Sequence, residues 1–304
     1  MPFSNIYRQQ AALLVRTLPL VAEETCFALK GGTAINLFIR DMPRLSVDID
    51  LTYLPLQSRK ASLDEIAAAL MRIAARVRET TGAQTTESRS GPERALIKLF
   101  VRADGVQINM EVTPVLRGCV YDPEVRRVSP AVERAFGFAE IQLVSFADLY
   151  GGKIVAALDR QNPRDFFDVR DLLANEGIDD ALRRAFIVYL ISHDGRMSEV
   201  LAPKRKDIAA EFARGFDGMT DGPVVLEELT KAREVLIADI VGKMPEAHRQ
   251  FLVSFKRGQP DWNLLGLEGA AELPAVKWRQ QNLDKLEARE RAAQVSRLEK
   301  VLSG

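Results

Sequence analysis

Asp48 and Asp50 stand two residues apart in the run Ser46-Val47-Asp48-Ile49-Asp50-Leu51-Thr52. Val47, Ile49 and Leu51 alternate with Ser46, Asp48, Asp50 and Thr52. This is the period of a strand that buries the first set and aims both carboxylates from one face. Such a pair is suited to a divalent cation. Hard ions such as Mg²⁺ take oxygen ligands and complete their shell with waters and substrate phosphates, so one or two carboxylates on a rigid strand suffice. Without a cation or hydrogen bonds the two carboxylates repel each other. Just upstream, Gly31-Gly32-Thr33 lies between the strand-like Phe27-Ala28-Leu29-Lys30 and the helical Ala34-Ile35-Asn36-Leu37-Phe38. Backbone N–H groups and a hydroxyl at a helix N-terminus form a phosphate site. Each motif also has a plainer reading: Asp-x-Asp as an edge strand with solvated charges, Gly-Gly as a tight turn.

The elements that must position these residues fall into an α/β first half and a nearly all-helical second half. An amphipathic helix is expected from about Tyr7 to Leu18, stopped by Pro19. Ser62 and Glu65 form a capping box ahead of the buried stripe Ile66, Leu70, Ile73 and Val77. Two β runs, 95–101 and 106–112, flank Ala103-Asp104-Gly105, a hairpin signal. In the second run Val106, Ile108, Met110 and Val112 take one face, and Gln107, Asn109 and Glu111 the other. From Ser145 the pattern turns helical: one helix runs through Lys153 to Leu158, and a second is capped by Asn162 with Pro163 at its first position. On that second helix Phe166, Val169 and Leu173 are expected in the core, and Asp165, Asp168 and Asp171 recur on another face. The boundary is placed so that residues 1–142 form the first domain and 143–304 the helical one.

Gly31, Gly32, Asp48, Asp50, Glu111, Lys153 and Asp168 suit one reaction. A nucleoside triphosphate with Mg²⁺ or Mn²⁺ needs backbone donors for its phosphates, acidic metal ligands and a lysine against its charge. Two carboxylates and a third from a neighbouring strand can hold two ions about 3.5–4 Å apart, one at the attacking hydroxyl and one at the leaving pyrophosphate. Ser46 shares the face of Asp48 and is a candidate nucleotide-binding residue, and a phosphate on it would bring about −1.5 to −2 charges beside the carboxylates.

Composition sets the limits. The 304 residues are 47% hydrophobic and 28% charged, with 42 basic and 42 acidic side chains, which argues against bulk electrostatic binding to nucleic acid. Local basic runs remain: Lys204-Arg205-Lys206, Lys256-Arg257 and Lys277-Trp278-Arg279, the last with an indole on which a base can stack. No apolar stretch approaches the roughly 20 residues of a membrane span, and no signal sequence opens the chain, so a cytoplasmic protein is expected. Cys26 and Cys119 read as reduced thiols.

Gly31-Gly32-Thr33, Arg44-x-Ser46-x-Asp48-Ile49-Asp50-Leu51, the run from Asp148 through Lys153 to Arg160, and Arg164-Asp165-Phe166-Phe167-Asp168 together resemble the AbiEii/AbiGii-type nucleotidyltransferase toxins. The first glycine/aspartate motif is shared with many polymerase-β-like nucleotidyltransferases. The lysine helix followed by Arg-Asp-x-x-Asp is far more specific. The resemblance implies a polymerase-β-like core with a mixed sheet, followed by a mainly helical C-terminal domain. It also implies a toxin of a type IV-like toxin–antitoxin or phage-exclusion system, using NTP and Mg²⁺ and paired with a separate antitoxin. In the MenT-like branch the acceptor is the 3′ end of tRNA, which blocks translation. Carried over by motif, Gly31, Gly32 and Thr33 contact phosphate, Asp48 and Asp50 bind metal, Lys153 contacts the triphosphate and Asp168 is the acidic residue of the last motif. Glu111 is the third metal ligand by strand parity. Transfer to a protein or to a small hydroxyl or amine, and a silent NTP-binding or partner-binding module, are the competing readings.

Overall fold

The computed structural model describes residues 3–91, 93–216 and 218–303. The chain divides into two compact units, Met1–Ser145 with Asp217–Pro223, and Phe146–Phe216 with Val224–Gly304. A mixed α/β architecture results, with a seven-stranded sheet in the first unit.

In the first unit, α1 (Asn5–Ala22) precedes β1 (Phe27–Lys30). The helical turn α2 (Gly31–Ala34) continues into a π-helical turn, Ile35–Ile39, and leads to β2 (Asp48–Tyr53). Then come α3 (Arg59–Thr81), β3 (Gln84–Ser90), β4 (Ala95–Ala103), β5 (Val106–Val112), β6 (Glu124–Arg127), α4 (Pro130–Phe136) and β7 (Glu140–Leu143). The seven strands lie in the order β3-β4-β5-β2-β1-β7-β6. β2 is antiparallel to β1 and parallel to β5, so the sheet is mixed at its centre. Asp104 and Gly105 both have positive φ, as a two-residue hairpin turn matched to strand twist requires. Ile49, Leu51 and Tyr53 of β2 and Ile108 and Met110 of β5 are buried, as are Leu70, Ile73 and Val77 of α3. The opposite parity carries the acidic side chains.

Four sequence expectations need correction here. α1 is not stopped at Pro19 but runs through it to Ala22, because Leu18 and Val21 are buried and hold the last turn while the proline ring sits on the exposed side. α3 is capped by Ser58, whose Oγ accepts the Ala61 N–H, and Ser62 is a buried residue inside the helix. Ser46 and Val47 precede β2, with Ser46 buried and Val47 only partly so, which reverses the expected alternation before Asp48. The segment around Gly218–Thr220 returns to the first unit: Ser4 N–H donates to Gly218 O, Leu45 N–H to Met219 O, and Arg44 bridges Thr220.

The second unit contains α5 (Phe146–Arg160), α6 (Pro163–Asn175), α7 (Asp180–Ser192), α8 (Met197–Leu201), α9 (Ala209–Gly215), α10 (Leu226–Ile237), α11 (Glu246–Arg257), α12 (Pro274–Asp284) and α13 (Ala288–Leu302). α5 packs closely on α7 because Gly151 has no side chain: a Cβ there would lie 2.9 Å from the Phe186 backbone nitrogen. On α6 the buried positions are Phe166, Val169 and Leu172, one residue earlier than the expected Leu173. No described helix is long and apolar enough to cross a membrane.

Pro19→Ala should raise the melting temperature, since the ring is exposed and the helix interior regains an N–H donor. The gain is bounded at about 3 kcal/mol. A lower melting temperature would mean that the Pro19 ring stabilises α1 where it stands.

Candidate active site

Strand register gathers the first set of residues. β1 pairs Lys30 with Asp50, β5 pairs Asn109 with Asp48 and Glu111 with Asp50, and β4 pairs Lys98 with Glu111. Neighbours in register on one face of a sheet lie within side-chain reach. One row across four strands therefore reads Lys30, Asp50, Glu111, Lys98, with two adjacent carboxylates flanked by an ammonium on each side. The next row places neutral Asn109 beside Asp48, and its Nδ2 donates to Asp48 Oδ1 at 3.0 Å. Lys98 Nζ lies 2.9 Å from Glu111 Oε2. Lys30 Nζ donates to Thr113 Oγ1 at 2.6 Å. Burial pushes the Lys30 pKa down, and Asp50 and Glu111 only partly offset that.

The start of α2 sits directly against this row. Gly31 has φ +75°, and a Cβ on it would fall 2.5 Å from Asp50 Oδ2. Both facts demand glycine. A Cβ on Gly32 would lie 2.8 Å from Arg44 Nη2 and 3.0 Å from Ser46 Oγ, so Arg44 and Ser46 close in on the second glycine. Ser46 is 9% exposed, so its hydroxyl belongs to the packed site rather than to the surface. Thr33 is fully buried and its Oγ1 donates to the Asp48 carbonyl at 2.5 Å, tying the helix start to the strand. The hydroxyl is thereby engaged, and what the turn offers a phosphate is its backbone N–H groups.

Among the described residues no three His, Cys, Asp or Glu side chains are grouped to hold a metal ion. Asp48 and Asp50 nevertheless suit a hard cation: they are all-oxygen donors, share a face, and are only partly buried. Glu111 is in register beside Asp50 but its carboxylate is engaged by Lys98.

The second set lies in the helical unit. Lys153 of α5 is 8% exposed, and its Nζ is 2.9 Å from Asp165 Oδ1 and 2.9 Å from Asp168 Oδ2, both on α6 and each 1% exposed. Arg160 grips Asp165 with two hydrogen bonds of 2.5 and 2.8 Å. Burial alone would raise the Asp165 pKa, but Lys153 and Arg160 outweigh it and hold that carboxyl well below the usual range. The polar face expected for Asp165 and Asp168 is thus an interior ion cluster. Asp165 and Arg160 are members that sequence reasoning passed over as site residues. The available signal was the i, i+3 placing of Asp165 and Asp168 on a helix whose neighbouring positions, Phe166 and Val169, are core. Lys30, Arg44 and Asn109 were likewise missed in the sheet unit, although strand parity puts Asn109 on the acidic face.

A glycine-led helix start set against an Asp-x-Asp strand in a mixed sheet points to a nucleotidyltransferase. The structure is similar to that of MenT4, a nucleotidyltransferase toxin from Mycobacterium tuberculosis H37Rv, with a TM-score of 0.62 over 95% of this chain and 92% of that one at 13% identity. Residues 12–282 match the family model described as Nucleotidyl transferase AbiEii toxin, Type IV TA system, and the chain belongs to that family. None of the curated proteins matches the sequence.

Lys153→Ala leaves two buried carboxylates without their ammonium and should cost about 3–5 kcal/mol of stability. Its loss of activity must therefore be compared with its melting temperature. Asp165 has a lowered folded pKa, so its stabilising contribution is full above the ordinary carboxylate value near 3.8 and disappears as pH falls further toward the folded value. Between about pH 4 and pH 2 the melting temperature of the wild type should fall more steeply than that of Asp165→Asn. Equal slopes would remove Asp165 from the ion cluster.

Proposed function

We propose that this nucleotidyltransferase toxin transfers a nucleoside monophosphate from an NTP to the 3′ acceptor end of tRNA and so blocks translation. Asp48 and Asp50 would hold Mg²⁺ or Mn²⁺, and a cognate antitoxin would restrain the activity. The observation that carries this reading is the register of the acidic face: Asp48 and Asp50 share one parity of β2, Gly31 lies against Asp50 Oδ2, and Thr33 ties the start of α2 to the Asp48 carbonyl. Backbone N–H groups suited to a phosphate thus lie beside a carboxylate suited to a metal ion. The tRNA acceptor rests on the resemblance to the MenT-like toxins.

In the reaction the acceptor hydroxyl oxygen forms a bond to the α-phosphorus and the bond to the bridging oxygen breaks. Pyrophosphate departs with that electron pair and the hydroxyl proton passes to solvent. A divalent cation, when bound, neutralises the triphosphate and lowers the pKa of the attacking hydroxyl. The chain's own residues position the partners. Asn109 fixes the orientation of Asp48, and Gly31 and Gly32 let the phosphates approach the backbone. Thr33 holds the helix start against the strand. Glu111 would be the third residue to hold the cation, and to do so its carboxylate would have to leave Lys98. Lys153 holds Asp165 and Asp168 in their buried arrangement.

Incubation of the pure protein with each labelled NTP, Mg²⁺ and total RNA, followed by gel separation, tests the reading. Label is expected in the tRNA band. Label in protein or in a small molecule would replace tRNA with one of those acceptors, and no label at all would leave a binding module. Asp48→Ala and Asp50→Ala should each lower transfer about a hundredfold or more, with the melting temperature in the absence of metal unchanged or higher. Near wild-type turnover of either variant at saturating Mg²⁺ would refute the metal assignment.

A further inference from the structure

The helical unit contains a cavity of about 220 Å³ that involves neither α5 nor α6. Met197 of α8, Phe255 of α11 and Leu283 of α12 supply apolar wall, and Arg196, Lys256 and Arg279 supply charge. These three cations come from separate stretches of sequence. Lys256 Nζ has no hydrogen bond or ion pair among the described residues. Arg279 donates through Nη2 to the carbonyls of Asp194 and Gly195 at 3.3 and 3.2 Å, and it is held by carbonyls rather than by a carboxylate. Of the acidic groups nearby, Asp194 lines the cavity with a side chain that is almost fully solvated, and Glu290 only partly offsets the positive field. Burial first, and then Arg279, Arg297 and Arg196, push the Lys256 ammonium down to about 8. A half-buried lysine crowded by other cations is relieved by an anion.

The other basic runs lack this property. Arg205 is paired with Glu234, Lys206 donates to the carbonyls of Asp159 and Arg160, and Lys277 is paired with Glu272. At the α8–α11–α12 cavity Arg196 is paired with Glu199, and Lys256 and Arg279 are the cations that meet the apolar wall without a carboxylate partner among the described residues. Trp278, 46% exposed, stands beside Arg279 with the guanidinium 5.8 Å from its ring.

We propose that this cavity holds one nucleotide unit of single-stranded RNA, its phosphate against Lys256 and Arg279 and its base against Met197, Phe255 and Leu283. The inference rests on RNA being the acceptor, and it adds a second point of grip on that strand outside the reacting groups. Phosphate contacts of this kind set affinity and its salt dependence, and apolar contact with an unstacked base favours single strands over duplex.

The test is fluorescence anisotropy of a short fluorescein-labelled single-stranded RNA, titrated with the full-length protein without NTP at several salt concentrations. Lys256→Gln should weaken binding about tenfold and lower the slope of log K against log salt by about 0.7, the value for one phosphate contact on a single strand. Lys256→Arg should bind within about threefold of wild type, and Lys277→Gln, on α12 but outside the cavity, within about twofold. AMP should displace the Lys256-dependent part of the signal at concentrations where inorganic phosphate does not. If Lys256→Gln binds as wild type with an unchanged melting temperature, the cavity is not an RNA site although RNA remains the acceptor. If the wild type binds no RNA, the acceptor reading fails and this inference falls with it. Equal displacement by phosphate and AMP would overturn the nucleotide assignment.

Discussion

Adjacent carboxylates on neighbouring strands are the constraint on which the sheet unit depends. Asp50 and Glu111 are in register across β2 and β5, and like charges there destabilise the pairing. Lys30 on β1 and Lys98 on β4 complete the row and compensate them without a metal. The Lys98–Glu111 contact is half exposed and contributes little stability of its own. Its consequence is geometric: it draws Glu111 toward β4 and leaves Asp50 facing Gly31. The positive φ of Gly31, the missing Cβ, and the Thr33 hydroxyl on the Asp48 carbonyl then follow as the conditions for bringing a helix start onto charged strands.

The helical unit treats charge in the opposite way. Lys153, Asp165 and Asp168 are withdrawn from solvent, where an ion cluster gives little net stability but is expensive to break. Arg160 supplies a second positive charge against the two carboxylates. The aspartates of the sheet unit are only partly buried. Those of the helical unit are committed to a lysine. Substitutions in the two sets therefore need different controls, chemistry in the first and folding in the second.

The acidic face was legible in the sequence because a strand has a period of two: Asp48, Asp50, Asn109 and Glu111 fall on one parity of β2 and β5, against buried Ile49, Leu51, Ile108 and Met110. The hairpin at Asp104-Gly105 and the Asn162-Pro163 helix start were legible because turn and cap chemistry is local. What was missed is tertiary. Pro19 looked like a stop, but buried Leu18 and Val21 keep α1 going. Ser62 fitted a capping pattern, yet Ser58 accepts the hydrogen bond one turn earlier. The periodicity of α6 put Asp165 and Asp168 on a face apart from the core positions but could not show them buried, because their partner, Lys153, lies on a different helix. The strap at Gly218–Thr220 has no local signature at all, since its hydrogen bonds go to Ser4 and Leu45, far away in sequence.

Membership of the AbiEii family places the chain among nucleotidyltransferase toxins, with a fold similar to that of MenT4, and the proposed location of the chemistry is the acidic face of β2. The most direct test is sequencing of tRNA 3′ ends from cells after brief induction of the wild type and of Asp48→Ala without the antitoxin. Growth arrest with tRNA ends extended by added nucleotides in the wild type alone is the result this account predicts. Arrest with unaltered tRNA ends would contradict it.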